Sequence, residues 1–581
     1  MIAEVVFDLP LHRSFSYALP TGMALHRGQR VRAPLRGRSR VGVVVELRYG
    51  EEAGLVSVER PVEAVPVLSS AALELGRWAA DESLSSWGST LLALLPPPAR
   101  RAAEVVAPPT EPRSARATPP ELWVGADREA RLVRRLTGDA DSTLLITANK
   151  ASAERWATRL DAARLDSGAP EAARRAAWFA AARGRARVVV GTRSALLAPL
   201  PPPATLVLLD EHDPAHKPPG APRLHSRDLL MRRAELEGSR LLMLSATPSV
   251  EAWWRTQGHR ATPSARESWP EVVTADTRGI LRNHPLTLPL TRAIEDVTRR
   301  GRRMVLIVTR RAATLICVDC GGLLRCPQCG VPLAFLRAQR TLACRLCAKT
   351  EPATDRCPNC GGHRLSPLGW DAERVEAAVR KRFPRLSVSR TDPRAQVIIG
   401  TPPVLSAVEA GGIGGVGIVA LDNILGLPDF RGGERAFQLV WDAAETAGGG
   451  GRVVIQTLHP AHYAIEAVKA HDLGAFYDHE LELRAGLGYP PFRRLCVISA
   501  RSPRQSEAQA LAAECARQLA DIAGVTVYPP APLGGAGARS TRWQLVAKGP
   551  GDLPRLIGPA LSPFVERRRR GGVVEVEMDP V

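Results

Sequence analysis

Apolar runs of four to six residues punctuate the chain between about residues 121 and 260: LLIT, RVVVGT, LVLLDE and LLMLSAT. Helical stretches rich in Ala and Arg separate them. That alternation predicts a parallel sheet of βαβ units. A second set follows, MVLIVT (304–309), VIIGT (397–401), VGIVALD (416–422) and VVIQT (453–457). Two α/β lobes are therefore expected, with a cysteine-rich block between the first two strands of the second. Ahead of them, RVRAP (30–34) and VVVEL (43–47) read as short strands with turns, followed by a helix over SSAALELGRWAADE (69–82) that closes in LLPPP. Residues 99–120, rich in Pro, Arg and Ala without period, read as a linker. Toward the end, QSEAQALAAECARQLADI predicts a helix and VVEVEMD a last strand. The expected order is a β-rich unit at 1–98, the linker, a first lobe at 121–265, a second lobe at 266–480 with an insertion at 315–365, and an α+β unit at 481–581.

No run of about 18 apolar residues occurs, so no membrane span is expected. The opening MIAEVVFDLP has acids and no basic stretch, unlike a secretory signal, and a cytoplasmic protein is expected. The net charge is +19. Of 78 basic residues 72 are Arg, which coding bias explains; the shortage of acids, 59 in all, it does not. Excess positive charge favours a polyanion partner over a merely solvated surface.

Eight of the ten cysteines fall in four Cys-x-x-Cys turns, Cys317/Cys320, Cys326/Cys329, Cys344/Cys347 and Cys357/Cys360. Such a turn presents two thiolates on one side of a knuckle, and two knuckles complete a tetrahedral Zn²⁺ site. Disulfides would need an oxidising compartment. Three pairings are open. Fourteen residues separate the two inner knuckles, close to ribbon spacing, while only five separate the first two. The nested arrangement is preferred: Cys317, Cys320, Cys357 and Cys360 for one zinc, and Cys326, Cys329, Cys344 and Cys347 for the other. With four thiolates and no open position, both are expected to be structural. Cys496 and Cys515 lie apart and read as buried, inert thiols.

TLVLLDEHDPAHK (205–217) ends a strand in Asp210-Glu211-His212, as an ATP motor holds magnesium and water. SATPS (245–249), after the strand LLML, is the second motor-like turn. A motor also needs a phosphate cradle, GxxxxGK[ST]. The chain has no Gly-Lys dipeptide, and STLLITANKASAE (142–154) has no glycine beside Lys150.

These segments resemble the primosomal protein N′ (PriA) family of bacterial replication restart helicases over nearly the whole chain. FSYALP…GQRVRAPLRGR…GVVV resembles that family's domain for DNA 3′ ends; VVVGTRSALLAPL, DEHDPAHK, LHSRDLLMRRA and SATPSVEAW follow its first helicase lobe. The four Cys-x-x-Cys turns, GWDAERVE, ALDNILGLPDFRGGERAFQLV and GRVVIQT follow its second, and GYPPF and EVEMDPV its C-terminal domain. The resemblance implies two RecA-like lobes with a zinc-binding insertion, and the nested zinc pairing. The departures are equally specific. The phosphate cradle is absent, the magnesium Asp aligns with Leu209, GTPPVLSAVEAGG replaces a DNA-coupling motif, and WDAAETAGGGG (441–451) replaces the motif that carries two arginines for the γ-phosphate. An arginine finger alone is worth about 10³ in rate. The linker is also shorter than the family's winged-helix domain requires.

What the resemblance implies is a degenerate member: a protein that binds abandoned or stalled forks and single-stranded DNA. It would promote primosome assembly and reloading of the replicative helicase, with primosome proteins, the helicase or its loader and single-stranded-DNA-binding protein as partners. It would act at the nucleoid and without an ATPase of its own. Asp210, Glu211 and His212 become remnants, as do His216 and Lys217. Glu211→Gln is then expected to be silent in DNA-binding and restart assays. By the same resemblance the DNA pocket involves Phe15, Ser16, Tyr17, Arg36, Gly37 and Arg38, with Arg40 nearby. Phe15 and Tyr17 are candidates for stacking a terminal base or, in the plainer reading, for a barrel core; Ser16 stands where the family has Asp. ERRRRGG (566–572) reads as a solvated loop. Two other functions remain: an active ATP-dependent 3′–5′ helicase with divergent motifs, told apart by nucleotide binding, and a zinc-stapled interaction module without a DNA role, told apart by fork binding.

Overall fold

The computed structural model describes residues 1–98, 118–138, 141–262, 268–277, 284–309, 313–317, 319–320, 322, 324–327, 333–336, 340–344, 349–368, 370–408, 410–426, 429–533, 541–566 and 571–581. Of the residues singled out above, Cys329 and Cys347, most of the linker and the four arginines after Glu566 lie outside these.

The N-terminal unit is a five-stranded antiparallel sheet in the order Phe15–Ala18, Ile2–Phe7, Arg38–Arg48, Arg30–Leu35, Arg60–Pro61. Arg30–Leu35 and Arg38–Arg48 form a hairpin with a two-residue loop. Arg36 and Gly37 there have φ of +50° and +75°, the left-handed pair that matches the twist of the strands. Two helices follow, Ser70–Glu82, with Ser69 as its N-cap, and Trp87–Leu94.

The first lobe is a seven-stranded parallel sheet. Its order is Arg260–Ala261, Glu121–Trp123, Arg240–Leu244, Ala204–Leu209, Ser142–Ile146, Val188–Gly191, Ala163–Leu165. All six residues of Ala204–Leu209 are buried, as expected of a central strand covered on both faces. The second lobe is a six-stranded parallel sheet in the order Glu271–Asp276, Arg452–Thr457, Ile413–Ile418, Arg303–Ile307, Val397–Gly400, Val388–Ser389. The strand expected at 416–422 is displaced: it runs Ile413–Ile418, because Gly414, Gly415 and Gly417 let it lie close against Arg302, Met304 and Leu290. The cysteine block forms its own antiparallel sheet, with Ala313–Cys317 between Leu365–Leu368 and Ala334–Leu336. The C-terminal unit carries helices Gln505–Ala520 and Leu553–Val565 packed with the antiparallel strands Arg494–Ser502, Thr541–Gly549 and Val573–Met578.

One apolar core runs from the N-terminal helices through the first lobe into the second, from Leu73 and Leu91 through Leu206 and Leu230 to Val416 and Phe437. The lobes are therefore packed against each other, and the carboxyl ends of the first lobe's central strands, where open α/β sheets place ligands, face the second.

Candidate functional site

Three turns meet at those carboxyl ends. The first, Thr147 to Asn149, leads into helix Lys150–Leu160. In a motor the open N-terminus of such a helix receives phosphate. Here the Asn149 side chain accepts from the Ser152 NH at 2.9 Å and occupies that end itself. The second turn begins at Asp210, whose φ of +48° bends the chain sharply after Leu209. The third is Ser245 to Ser249, and His212 Nδ1 lies 2.6 Å from Ser245 Oγ.

Glu211 does not face the cleft. It is 0 % exposed; Arg227 Nη1 (2.8 Å) and Ser249 Oγ (2.7 Å) donate to one carboxylate oxygen and the Ser249 NH (2.8 Å) to the other. Both carboxylate oxygens are thus engaged by the fold. The residue is a structural tie beneath the cleft, so Glu211→Gln is expected to act on stability, whatever it does in DNA-binding and restart assays. Asp210 and His212 do face the cleft, beside Arg128, Asp442 and Glu445, whose charges act on one another. Arg128 pairs with Glu445 at 3.3 Å, joining the first lobe to the helix Gly432–Ala447 of the second. On that helix Asp442 and Glu445 turn carboxylates toward the strand ends of the first lobe. Burial raises the Asp442 carboxyl to about 6; Glu445 and Asp210 push the same way, against His212 and Arg128.

A buried ion network seals the lobes below this point. Glu251, in helix Val250–Arg255 of the first lobe, receives Arg431 at 2.6 Å. Arg431 also holds Glu434 (3.0 Å), which pairs with Arg484 (2.8 Å), and Arg484 holds Glu480 (2.8 Å). Glu434 accepts the Val250 NH at 3.0 Å across the lobes. Burial disfavours the charge on Glu251, yet Arg431 and Arg484 hold its carboxyl far below the ordinary range. His216 and Lys217 have structural work of their own. His216 bonds the Leu209 carbonyl (2.8 Å), and Lys217 Nζ donates to the carbonyls of Met578 (2.5 Å) and Asp579 (2.6 Å), tying the C-terminal unit to the first lobe.

On the N-terminal sheet the predicted DNA residues separate by face. Phe15 and Tyr17 point inward, edge-on to Phe7 at 5.7 and 6.0 Å. Tyr17 is 4 % exposed and its hydroxyl donates to the Pro34 carbonyl (2.9 Å). Of its two readings the structure takes the core one, because a ring buried on both faces offers none to a base. Phe15 is half-buried, with Arg13 above it. Ser16 points the opposite way, and Ser14 with it, each donating to Glu4 at 2.7 Å. Burial raises the Glu4 carboxyl, but these hydroxyls and Arg48 hold it below its ordinary value. Glu4 belongs to no recognisable motif, and sequence reasoning missed it. Arg36, Gly37, Arg38 and Arg40 are all exposed at the hairpin tip.

In the cysteine block the outer four thiols converge. Cys317 Sγ lies 3.6 Å from Cys360 Sγ, Cys320 Sγ lies 3.7 Å from Cys357 Sγ, and all four sulfurs fall within 4.8 Å of one another. Burial opposes ionisation of Cys357, but the NH groups of Asn359 and Cys360 bring it down to about 7; the Gly362 NH favours the Cys360 thiolate, but the neighbouring Cys320 and Cys317 thiols raise it to about 12. Four sulfurs from two knuckles fit a zinc ion. Cys326 and Cys344 are buried in the block's core. Cys496 and Cys515 are both buried in the C-terminal core.

Residues 4–96 match a family model described as a 3′ DNA-binding domain of PriA, and residues 485–581 match the primosomal protein N C-terminal domain. The chain is 29% identical to the replication restart protein PriA of Treponema pallidum, over 100% of this chain and 99% of that one. It is 29% identical to that of Bacillus subtilis (59% of this chain, 47% of the relative) and 31% to that of Synechocystis (64% and 50%). The match thus spans about half the length of several of these relatives. Among solved structures, RecG bound to a three-way DNA junction shares 10% identity over 72% of this chain and 46% of that one, with a TM-score of 0.34. The DUF1998 helicase MrfA bound to DNA and AMPPNP shares 10% over 62% and 48%, at 0.33. Likeness at that level transfers nothing further.

Proposed function

The chain belongs to the PriA family of replication restart proteins, and from that premise we propose a fork-binding platform without a motor. It binds forked and single-stranded DNA at stalled or abandoned replication forks and promotes primosome assembly and reloading of the replicative helicase. Its partners are primosome proteins, the helicase or its loader, and single-stranded-DNA-binding protein; its place is the cytoplasm, at the nucleoid. Among the described residues no helix is long and apolar enough to cross a membrane.

One observation carries the motor-less reading: the groups a motor would turn to the nucleotide are engaged by the chain itself. Asn149 takes the helix end, Glu211 is tied to Arg227 and Ser249 beneath the cleft, and Arg128 is paired with Glu445 across it. Hydrolysis depends on positioning and on charge stabilisation of the transferring phosphoryl group. Neither the cradle nor the arginines are there to supply them. What ATP-driven closure would achieve elsewhere, the Glu251–Arg431–Glu434–Arg484 network achieves here permanently.

The exposed arginine tip at 36–40 supports phosphate contact by the N-terminal unit (1–98), with Phe15, half-buried under Arg13, as the remaining aromatic candidate. Two structural zinc ions, nested, staple the 315–365 insertion; the outer thiols fit the first, and Cys326 and Cys344 would supply half of the second. The test is fluorescence anisotropy with forked, gapped and duplex DNA, alongside ATP hydrolysis with and without the fork. Preferential binding of the fork with no hydrolysis is expected. Fork-stimulated hydrolysis would sink the motor-less reading, and absence of binding to any DNA would sink the platform.

A further inference from the structure

Trp254 and Phe492 are 42 % and 38 % exposed, and their rings touch with centroids 5.1 Å apart at 55°. Among the described residues no other ring pair has both members exposed. The pair is held from behind. Trp253 stacks on Tyr477 at 4.2 Å, which turns its neighbour Trp254 outward at the end of helix Val250–Arg255. Phe492 is held by its NH bond to the Tyr489 carbonyl (3.0 Å), and Tyr489 stacks flat on Phe430 at 4.7 Å. Two aromatic faces are thus presented to water on rigid supports, on the seam between the first lobe and the C-terminal unit.

The surroundings choose the partner. Arg255 and Arg493, next in the chain to each ring, both line one cleft of about 460 Å³. Its walls carry eight Lys and Arg against five Asp and Glu. Arg255 is exposed and pairs with Asp228, whereas Arg493 donates to the Gly524 carbonyl (2.9 Å) and, among the described residues, has no carboxylate partner. Among the described residues seven of those eight cations are paired with carboxylates, which leaves Arg493, beside Phe492, as the cation free for a phosphate; exposed rings next to such a guanidinium match a chain that alternates flat apolar faces with negative charge.

We propose that Trp254 and Phe492 form a stacking platform for unpaired bases of single-stranded DNA, with Arg493 holding a flanking phosphate at the mouth of the cleft. This rests on the DNA-binding reading above and adds a second contact, distant in sequence from the N-terminal unit. Stacking on a ring tolerates any base, so the platform would grip a strand without reading its sequence.

The experiment uses the full-length protein and three labelled probes of about 16 nucleotides, a length that one such binding surface can cover: oligo(dT), the same strand with abasic sites, and a duplex. Trp254→Ala/Phe492→Ala should weaken oligo(dT) binding by at least roughly 5- to 150-fold, the range for the loss of one stacked base. It should leave abasic and duplex binding unchanged. Trp254→Phe should restore most of the loss, and Arg493→Ala should weaken both single strands. Because each ring keeps more than half of its surface buried, the double variant should melt somewhat below wild type, and unchanged abasic and duplex binding separates this result from misfolding. Unchanged oligo(dT) affinity in the double variant, with fork binding intact, overturns the platform and leaves the DNA-binding reading standing. A wild type that binds no DNA overturns both. A double variant that instead loses binding to an acidic peptide assigns the face to a protein and overturns the proposal.

Discussion

Replacing Glu211 with alanine removes the carboxylate that joins the strand Ala204–Leu209 to Arg227 and to the start of helix Val250–Arg255. Three hydrogen bonds go, two of them from Ser249, and the buried Arg227 guanidinium keeps Asp228 (3.2 Å) as its nearest carboxylate. Breaking a buried pair by deleting one partner costs about 3–5 kcal/mol. The remaining Asp228 contact argues for the lower end, about 3 kcal/mol. In a domain of lobe size each kcal/mol shifts the midpoint by roughly 2–4 °C, so Glu211→Ala should melt about 6–12 °C below wild type. Glu211→Gln keeps an acceptor for Ser249 but loses the charge facing Arg227, and should cost about 1.5 kcal/mol. Thermal unfolding by near-ultraviolet circular dichroism, followed with and without fork DNA, measures both. Below its melting point each variant should still bind forks, because Glu211 lies beneath the cleft rather than on a DNA face. A midpoint within a degree of wild type for Glu211→Ala would refute the structural role. Fork-stimulated ATP hydrolysis that Glu211→Gln abolishes would refute the whole assignment of this residue.

The remaining predictions concern charge, metal and docking. Asp442, with a folded value near 6 against an ordinary 3.8, binds more protons folded than unfolded between those values, so stability should fall as pH rises from about 4 to 6 and level off above. Asp442→Asn removes that fall, and the difference in melting temperature between variant and wild type plotted against pH checks it; a flat difference would count against burial of the carboxyl. Cys320→Ser or Cys357→Ser should lower zinc content by one ion per chain in metal analysis and destabilise the insertion, and unchanged zinc would break the outer site. Removing Arg36 and Arg38 together should reduce the slope of log affinity against log salt by up to about 1.8 on duplex DNA, at about 0.9 for each phosphate no longer neutralised; an unchanged slope would move the phosphate grip elsewhere. Lys217→Met keeps the apolar stem but not the bonds to Met578 and Asp579, and should raise proteolytic release of the C-terminal unit, with wild-type resistance the contrary outcome.

Continuous apolar runs alternating with helical stretches were enough to place the central strands of the first lobe, because a run such as LVLL between helices fits a strand covered on both faces; in the second lobe the glycine-rich strand Ile413–Ile418 was misplaced by three residues at its start. The helix at 70–82, capped by Ser69, and the helix at 505–520 were legible from local pattern alone. So were the Cys-x-x-Cys knuckles and the missing phosphate cradle, since each is a matter of residues adjacent in the chain. The short edge strands Glu121–Trp123, Ala163–Leu165 and Arg260–Ala261 were not: too brief to carry a period, they exist because a neighbouring strand offers them hydrogen bonds. Nor could the pattern tell Trp253, stacked on Tyr477, from Trp254, turned to water one position later. Glu251 and Arg431 are 180 positions apart, and Arg128 and Glu445 are 317 apart. A charged residue by itself reads as solvated surface; only when the lobes close does burial remove the water and leave another chain segment as its sole partner. That closure turned Glu211 from an apparent relic of catalysis into a tie that holds the fold, because the cost of an unpaired buried charge depends on what surrounds it, which a sequence position does not specify.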